Sequence, residues 1–451
     1  MEKQTEQWST RLGFILSSAG AAVGLGAIWK FPYMTGMNGG GAFFFIFILF
    51  TVLIGLPLLI AEFVIGRGAQ KEAVSAYQKL TLKRSIFSFI GHWGVAGAFI
   101  LMSFYSVVGG WVLIYSLMSI PGMVISDNGD YAALFDTITG NPLLTIAGLA
   151  FFVFLNSFVI SNGIQNGIEK YSKILMPLLF LFFIIIVIRA LTFEGAMEGV
   201  RFFLQPDFSQ LNGENILYAL GQAFFSLAIG ISVMVTYSSY LAKNVSLTKS
   251  AASVSVMNIL VSLLAGLAIF PIVFSFGLEP TEGPGLLFIV LPEAFSQMPV
   301  GELFLSLFLF LFLFAILTSS FSMLEIITSS VNERVKASRK QIAWVAGVAV
   351  FIFGIPAALS SNALADFHIF GKTAFDASDF LVSNIMLPVG CLFIALFVGF
   401  KMNRALVEQE FHAGNPFGNG MFQVWYQILR WVAPITIVIV FLYSLGIFQL
   451  F

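Results

Sequence analysis

Apolar residues fill this chain in long blocks, and the interruptions between them are short and polar. Eleven blocks are long enough to cross a bilayer: roughly residues 11–36, 41–68, 91–121, 142–162, 165–190, 213–241, 247–276, 300–333, 339–359, 376–402 and 422–448. A spanning helix needs about 20 predominantly apolar residues. The pattern predicts an all-α polytopic membrane protein. The third and eighth blocks exceed a straight crossing, which predicts tilt or projection from the bilayer.

The first block carries an anomaly, Gly20-Ala21-Ala22-Val23-Gly24-Leu25-Gly26. Glycine costs a helix about 1 kcal/mol relative to alanine, so three of them mid-span call for a use. Two readings stand open. One is a break whose free N–H and C=O groups line a cavity, the arrangement of a transporter binding site. The other is a close helix–helix contact, which small residues permit. Span six repeats the anomaly in Gly221-Gln222-Ala223-Phe224-Phe225-Ser226-Leu227-Ala228-Ile229-Gly230. Spans one and six are five apart. Five is odd, so a five-plus-five duplication places the halves in opposite topology, an inverted repeat. The expected organisation is one transporter domain over 1–451, with repeats at 1–190 and 213–402 and an additional helix at 422–448. Span five carries Gly167 and, ten residues later, Pro177. Proline removes a helix hydrogen bond and kinks the segment; a static kink and a segment able to loosen are both compatible with the pair.

Charge sets orientation. Lys and Arg collect in cytoplasmic loops. Arg67, Lys71, Lys79, Lys83 and Arg84 follow span two; Lys243 and Lys249 flank the turn after span six; Arg334, Lys336, Arg339 and Lys340 follow span eight; Lys401 and Arg404 follow span ten. Two of the alternate loops, residues 122–141 and 277–299, carry acids and no base: Asp127, Asp130 and Asp136, then Glu279, Glu282 and Glu293. The N-terminus is therefore expected in the cytoplasm and Phe451 outside, in a plasma (inner) membrane. The apolar run Leu286 to Leu291 is expected to dip into the outer vestibule as a short helix.

Composition narrows the function. The chain has 451 residues, 58% hydrophobic and 10% charged, against about 25% charged in ordinary soluble domains. A net charge of −1 argues against a nucleic-acid partner, and no obligate protein partner is evident. The lone Cys391 has no disulfide partner within the chain. The scattered His92, His368 and His412 give no histidine metal site and no nucleophile–base spacing, so an embedded hydrolase finds no support and the chain reads as no enzyme. Charged residues precede Trp8 without a cleavage pattern after the first apolar block, so that block is expected to be retained.

Several motifs resemble one family. They are Trp8 with Arg11-Leu12-Gly13-Phe14, the glycine stretch, Trp29-Lys30-Phe31-Pro32-Tyr33, Asn38-Gly39-Gly40-Gly41-Ala42-Phe43, Gly55-Leu56-Pro57, Glu62, Gly66-Arg67, Tyr105 through Trp111, Gly221 to Phe225, and Thr318-Ser319-Ser320. The chain resembles the neurotransmitter:sodium symporters, in particular the eleven-span bacterial amino-acid transporters that take several hydrophobic substrates. The resemblance covers spans one to ten; span eleven matches in position only, and the usual twelfth span is missing. It implies the leucine-transporter-like fold, with helices 1 and 6 unwound at the membrane midplane.

The resemblance also implies a site. Amides of Leu25 and Gly26 at a half-helix N-terminus and the Tyr105 hydroxyl would hold a substrate carboxylate. Carbonyls of Ala22, Phe225, Ser226 and Ala228 would take the ammonium. Leu101, Tyr105, Phe225, Ala228, Ile231, Ser319 and Met323 would surround an apolar side chain, with Ala22 and Ala228 leaving room for an aromatic ring. One Na⁺ site would use carbonyls of Gly20, Val23 and Ala315 with hydroxyls of Thr318 and Ser319. A second would use Ala22, Ser226, Asn258 and the substrate carboxylate, weakened because Ala27 stands where the pattern has an asparagine ligand. Span seven has Ser262 where chloride-independent members carry an acid, so Gln222, Ser226 and Ser262 are candidate Cl⁻ ligands; Phe47, in place of the usual tyrosine, counts against them. Lys30 and Asp379 would form the outer gate, with Tyr105 and Phe225 as an aromatic lid. Trp8, Tyr240 and Glu333 would form the inner gate, where Thr5 replaces the usual arginine and Lys3 is a candidate substitute. Glu62 would bond backbone near the break in span six. The function implied is Na⁺-coupled import of hydrophobic or aromatic L-amino acids by alternating access; the alternative is a proton-coupled or exchange transporter of the same fold.

Overall fold

The computed structural model describes residues 6–81, 86–125, 129–278, 285–414 and 418–444. Asp127, Glu279, Glu282, Lys83, Arg84 and Phe451, used above for orientation, lie outside the described residues, as do Lys3 and Thr5.

Among the described residues, nine unbroken helices are long and apolar enough to cross a membrane: Gly41–Ala69, Phe89–Ser119, Pro142–Ser161, Ile164–Ala190, Leu247–Ser275, Gly301–Asn332, Arg339–Ala358, Ala374–Lys401 and Asn419–Tyr443. Two further spans are interrupted. Arg11–Ala22 and Gly26–Met37 meet at a 53° bend. Gly213–Ser226 and Val233–Ser239 are separated by residues 227–232. Together these are the eleven predicted spans, and the interruptions fall in spans one and six, as expected. Short helices the pattern did not single out lie between spans: Ala73–Leu80, Tyr131–Thr139, Ala196–Leu204 and Arg404–His412.

The glycines in span one serve both open readings at once. The bend is there, and so are close contacts. A Cβ at Gly20 would lie 2.8 Å from Thr318 Cβ, and one at Gly24 would lie 2.5 Å from the Tyr105 hydroxyl and 2.6 Å from Ser319 Oγ. Glycine here lets backbone reach neighbouring side chains. In span six the turn back into helix needs positive φ at Ala228, Gly230 and Ser232, a conformation costly for the two non-glycine residues.

That cost is offset by one buried carboxylate. Glu62 in span two accepts from the amides of Gly230 (2.8 Å), Met234 (3.2 Å) and Val235 (3.3 Å). These amides sit at the start of the second half of span six, where a helix N-terminus has unpaired donors. A fully buried acid is costly without such partners; three backbone donors supply them.

The run Leu286–Ser296 is helical and largely buried. Phe288 stacks on Phe135 at 5.3 Å and meets Trp111 of span three edge-on at 6.3 Å.

Candidate functional site

The bends in spans one and six face each other across span three and span eight. Between them lies a narrow cavity of about 20 Å³. Its walls include Ala22, Leu25, Gly26, Leu101, Tyr105, Phe225, Ala228, Ile231, Ser319 and Met323, all predicted, together with Ala21, Gly24 and Leu387. Leu387 was missed; it directly precedes Pro388 in span ten, and nothing in its own residue type distinguishes it. Ser226, also predicted for the substrate, is buried behind this wall against Asn258.

The walls divide by chemistry. On one side the Leu25 amide donates to the Tyr105 hydroxyl at 3.3 Å. On the other, Leu101, Ile231, Met323 and Leu387 present hydrocarbon and thioether. Phe225 closes one end, shared with a wider vestibule that also holds Lys30, Gln222, Ser383 and Tyr443. Lys30 Nζ sits 4.5 Å from the Phe225 ring centre and 4.0 Å from Asp379. It donates to Ser383 Oγ at 3.4 Å, and that hydroxyl donates to Asp379 at 2.8 Å. The outer pair is thus loose and bridged by a serine, as a lysine without a guanidinium fork allows.

Oxygens gather at two places beside the cavity. Near the first, Thr318 Oγ1 donates to its own helix, to Phe314 O (2.9 Å) and Ala315 O (3.1 Å), and Ser319 Oγ donates to Ala21 O at 3.1 Å. Such back-bonding spends the hydroxyl proton and leaves lone pairs for a cation. Helix bonding ends at this point of span one: the Val23 amide still reaches Ala19 O at 2.7 Å, and Val23 itself is no longer helical. Near the second, Asn258 donates to Ser226 O (2.9 Å) and Ala22 O (3.4 Å) and accepts from Ser226 Oγ at 3.1 Å. Ala27 is fully buried and offers no side-chain oxygen there.

For the proposed anion ligands, Gln222 Nε2 donates to Gly26 O at 2.6 Å. Gln222 Oε1 and Ser262 Oγ are buried without a hydrogen-bond partner. Phe47 packs on Phe31 at 4.9 Å.

At the N-terminal end of span one the Trp8 indole donates to Tyr237 O at 2.8 Å and its amide to Tyr240 O at 3.2 Å. The Tyr240 hydroxyl donates to Glu325 at 2.8 Å, and Arg339 pairs with Glu325 and with Glu6 (3.5 Å). Trp8 and Tyr240 are therefore together as expected. Glu333 is not with them: its partner is Lys71 at 3.2 Å, with both side chains well exposed. The acid at Tyr240 is Glu325, which the sequence reading passed over. Its signal was present, because a carboxylate inside an apolar span calls for a partner. Gly167 lies in a π-helical stretch, Ile164–Glu169, and Pro177 inside the helix Lys170–Ala190; span five is wound throughout.

The sodium:neurotransmitter symporter family model matches residues 5–126 and 139–450. The chain belongs to this family. Its sequence is 50% identical over 447 residues to an uncharacterized sodium-dependent transporter of Bacillus subtilis, covering 99% of each chain. It is 37% identical to an uncharacterized sodium-dependent transporter of Haemophilus influenzae, covering 98% of this chain and 99% of the relative. The structure matches the crystal structure of MhsT in complex with L-phenylalanine with a TM-score of 0.90 and 40% identity, covering 97% of this chain and 99% of that one. This symporter is a multi-pass, sodium-dependent membrane transporter of leucine-transporter-like fold, and not an enzyme.

Proposed function

We propose that this symporter imports large hydrophobic L-amino acids, aromatic ones included, together with Na⁺. The observation that carries this reading is the division of the cavity: a half-helix N-terminus and the Tyr105 hydroxyl on one wall, and an uncharged apolar lining opposite. An α-carboxylate brought in from water needs donors. The two half-helix N-termini differ in just this respect. That of span six already has Glu62, whereas that of span one faces the cavity. The small side chains at 22 and 228 let the narrow cavity widen around a ring, and Met323 adapts to different shapes. The likeness to a protein solved with L-phenylalanine points the same way.

Na⁺ is a hard cation that wants several oxygens. Gly20, Val23, Ala315, Thr318 and Ser319 supply one such set. Ala22, Ser226, Asn258 and the substrate carboxylate supply the other, with one ligand fewer because of Ala27. Chloride fits a neighbouring place. Ser226 and Asn258 are bonded, Gln222 lies one turn before Ser226, and Ser262 lies one turn after Asn258. Spans six and seven run antiparallel, so Gln222 and Ser262 stand on the same side of the bonded pair. Ser262 there has a buried hydroxyl with no partner.

In this reading the N-terminus is cytoplasmic and the repeats are 1–190 and 213–402. Unwinding of span five between Gly167 and Pro177 then admits water to Thr318, whose Oγ1 lies 3.9 Å from Met176 Sδ of that span, and Na⁺ leaves first. The test is uptake of L-phenylalanine, L-tryptophan and L-leucine into proteoliposomes under an inward Na⁺ gradient, with Na⁺ and Cl⁻ each replaced in turn. Accumulation above equilibrium that needs Na⁺ supports symport. Accumulation unchanged without Na⁺ overturns both sodium sites and favours proton coupling or exchange.

A further inference from the structure

Just before span one, residues 6–10 form a strap across the cytoplasmic side, and its bonds fall largely on one element. The Glu6 carboxylate accepts from the Ile164 amide at 2.9 Å, and Gln165 donates to Gln7 O at 2.8 Å. Glu169 accepts from the Ser9 amide (2.8 Å), the Ser9 hydroxyl and the Thr10 hydroxyl (3.1 Å). Lys173 pairs with Glu169 at 2.6 Å and donates to Ser9 Oγ at 3.3 Å. Every one of these partners lies in 164–173, the start of span five. Glu169 is buried, and Gly13 has no side chain, which lets the carboxylate press against span one. Thr10, the N-cap of span one, is held by the same carboxylate.

Deeper along this interface the polar ties cease. Gly20 approaches Met176, as Gly13 approaches Glu169, so the two spans run side by side in parallel register. Between those contacts Ser17 of span one and Ser172 of span five keep buried hydroxyls with no hydrogen-bond partner. Glu169 is therefore the main polar link from span five to the start of span one. It sits two residues beyond Gly167, at the end of a π-helical stretch, a feature frequent at functional sites. Gly163, just before that stretch, has positive φ.

We infer that Glu169 is a positioning residue that makes unwinding of span five and release of the inner half of span one a single event. The inference rests on the proposed release through span five. When 167–177 unwinds, Glu169 moves, Ser9 and Thr10 lose their acceptor together, and the strap that holds Trp8 against Tyr237 and Tyr240 is freed. Without Glu169 the two movements separate.

Hydrogen–deuterium exchange of the full chain in detergent tests this, reading peptides that cover 6–13 and 164–177 in Na⁺ and in K⁺. In the parent protein both peptides exchange faster in K⁺, and together. In Glu169→Ala, 6–13 exchanges about tenfold faster in both ions, as a locally opened segment does, while 164–177 keeps its response to Na⁺. Parallel responses of both peptides in Glu169→Ala overturn the latch. A uniform rise across all spans in that variant also overturns it, since that marks a merely structural role. A parent 164–177 peptide blind to Na⁺ overturns the release through span five, and the latch with it. Should Glu169→Ala fail to fold, Glu169→Gln keeps an acceptor for Ser9 but no charge for Lys173. It is then expected to give intermediate exchange at 6–13 alone, and parental exchange there counts against the latch.

Discussion

The Leu25 amide and the Tyr105 hydroxyl are hydrogen-bonded to each other at 3.3 Å, in the middle of the molecule. One belongs to a broken helix and the other to a continuous one, and both can donate to a carboxylate placed between them. Tyr105 is nearly fully buried, so no water takes its place. Tyr105→Phe removes one donor and keeps the ring. A hydrogen bond to a charged group contributes about 1.5–3 kcal/mol. The substrate dissociation constant is expected to rise about tenfold to a hundredfold, since about 1.4 kcal/mol is a factor of ten. Na⁺-induced thermal stabilisation without substrate is expected to stay at the parent value. Radioligand binding and melting curves of the same preparation check both halves.

In the proposed ion site, Thr318 and Ser319 supply hydroxyl oxygens beside the substrate cavity. Their protons already go to Phe314, Ala315 and Ala21 carbonyls, so their oxygens face outward as acceptors. Thr318→Val keeps the shape and removes one oxygen. The Na⁺ concentration for half-maximal uptake is expected to rise by about tenfold, the cost of one buried ligand of roughly 1–2 kcal/mol. The maximal rate at saturating Na⁺ should change much less. A variant with unchanged Na⁺ dependence would remove Thr318 from the ion site.

The order of spans and the two breaks were legible because hydrophobic block length and misplaced glycines are strong local signals. The cavity wall was legible through the family likeness, down to Met323, since its residues come from motifs with fixed spacing. Leu387 was not: an ordinary leucine in an apolar helix becomes a wall only when three helices converge. The acid beside Tyr240 was hidden for a different reason. Glu333 has the right place in the chain but ends on the surface with Lys71, whereas Glu325, two turns earlier, points inward to Tyr240 and Arg339. Only the helix's rotational setting decides between those two acids, and that setting comes from packing. The partners of Glu169 were hidden likewise, because its contacts with Ser9 and Thr10 span about 160 residues of sequence.

Ser262 offers a test by charge substitution. Its hydroxyl is buried and unpartnered beside the bonded pair Ser226 and Asn258. If a chloride ion sits there, Ser262→Glu supplies the negative charge permanently. Transport by that variant is expected to be independent of chloride, while the parent slows when chloride is replaced by gluconate. A parent rate that is equal in both anions sinks the chloride proposal.

Glu325 and Arg339 form an ion pair beside Tyr240 with side chains 0% and 14% exposed. Removing one partner of such a pair leaves a buried charge, at a cost of about 3–5 kcal/mol. Glu325→Ala is therefore expected to lower the melting temperature strongly. Replacing both residues, Glu325→Met with Arg339→Met, should recover much of the loss, because no charge is then stranded. Tyr240 loses its acceptor in either case, so inward leakage of Na⁺ is expected to rise in both variants.

Pro177 sits inside the wound helix Lys170–Ala190, one residue after Met176, which touches the Thr318 hydroxyl. Proline has no amide hydrogen and clashes with the carbonyl one turn back, so the turn just before Pro177 is short of one hydrogen bond. Pro177→Ala restores it. In the proposed release a wound span five keeps water from the Thr318 oxygens, so strengthening the helix slows the step that wets them. Turnover is expected to fall about tenfold, the effect of roughly 1–1.5 kcal/mol from one added helix bond. Substrate affinity in Na⁺ should hold or tighten slightly, because the closed state gains. Single-turnover release from preloaded vesicles distinguishes this from damage to the binding site: slow release with normal binding supports opening through span five, and parental release rates reject it.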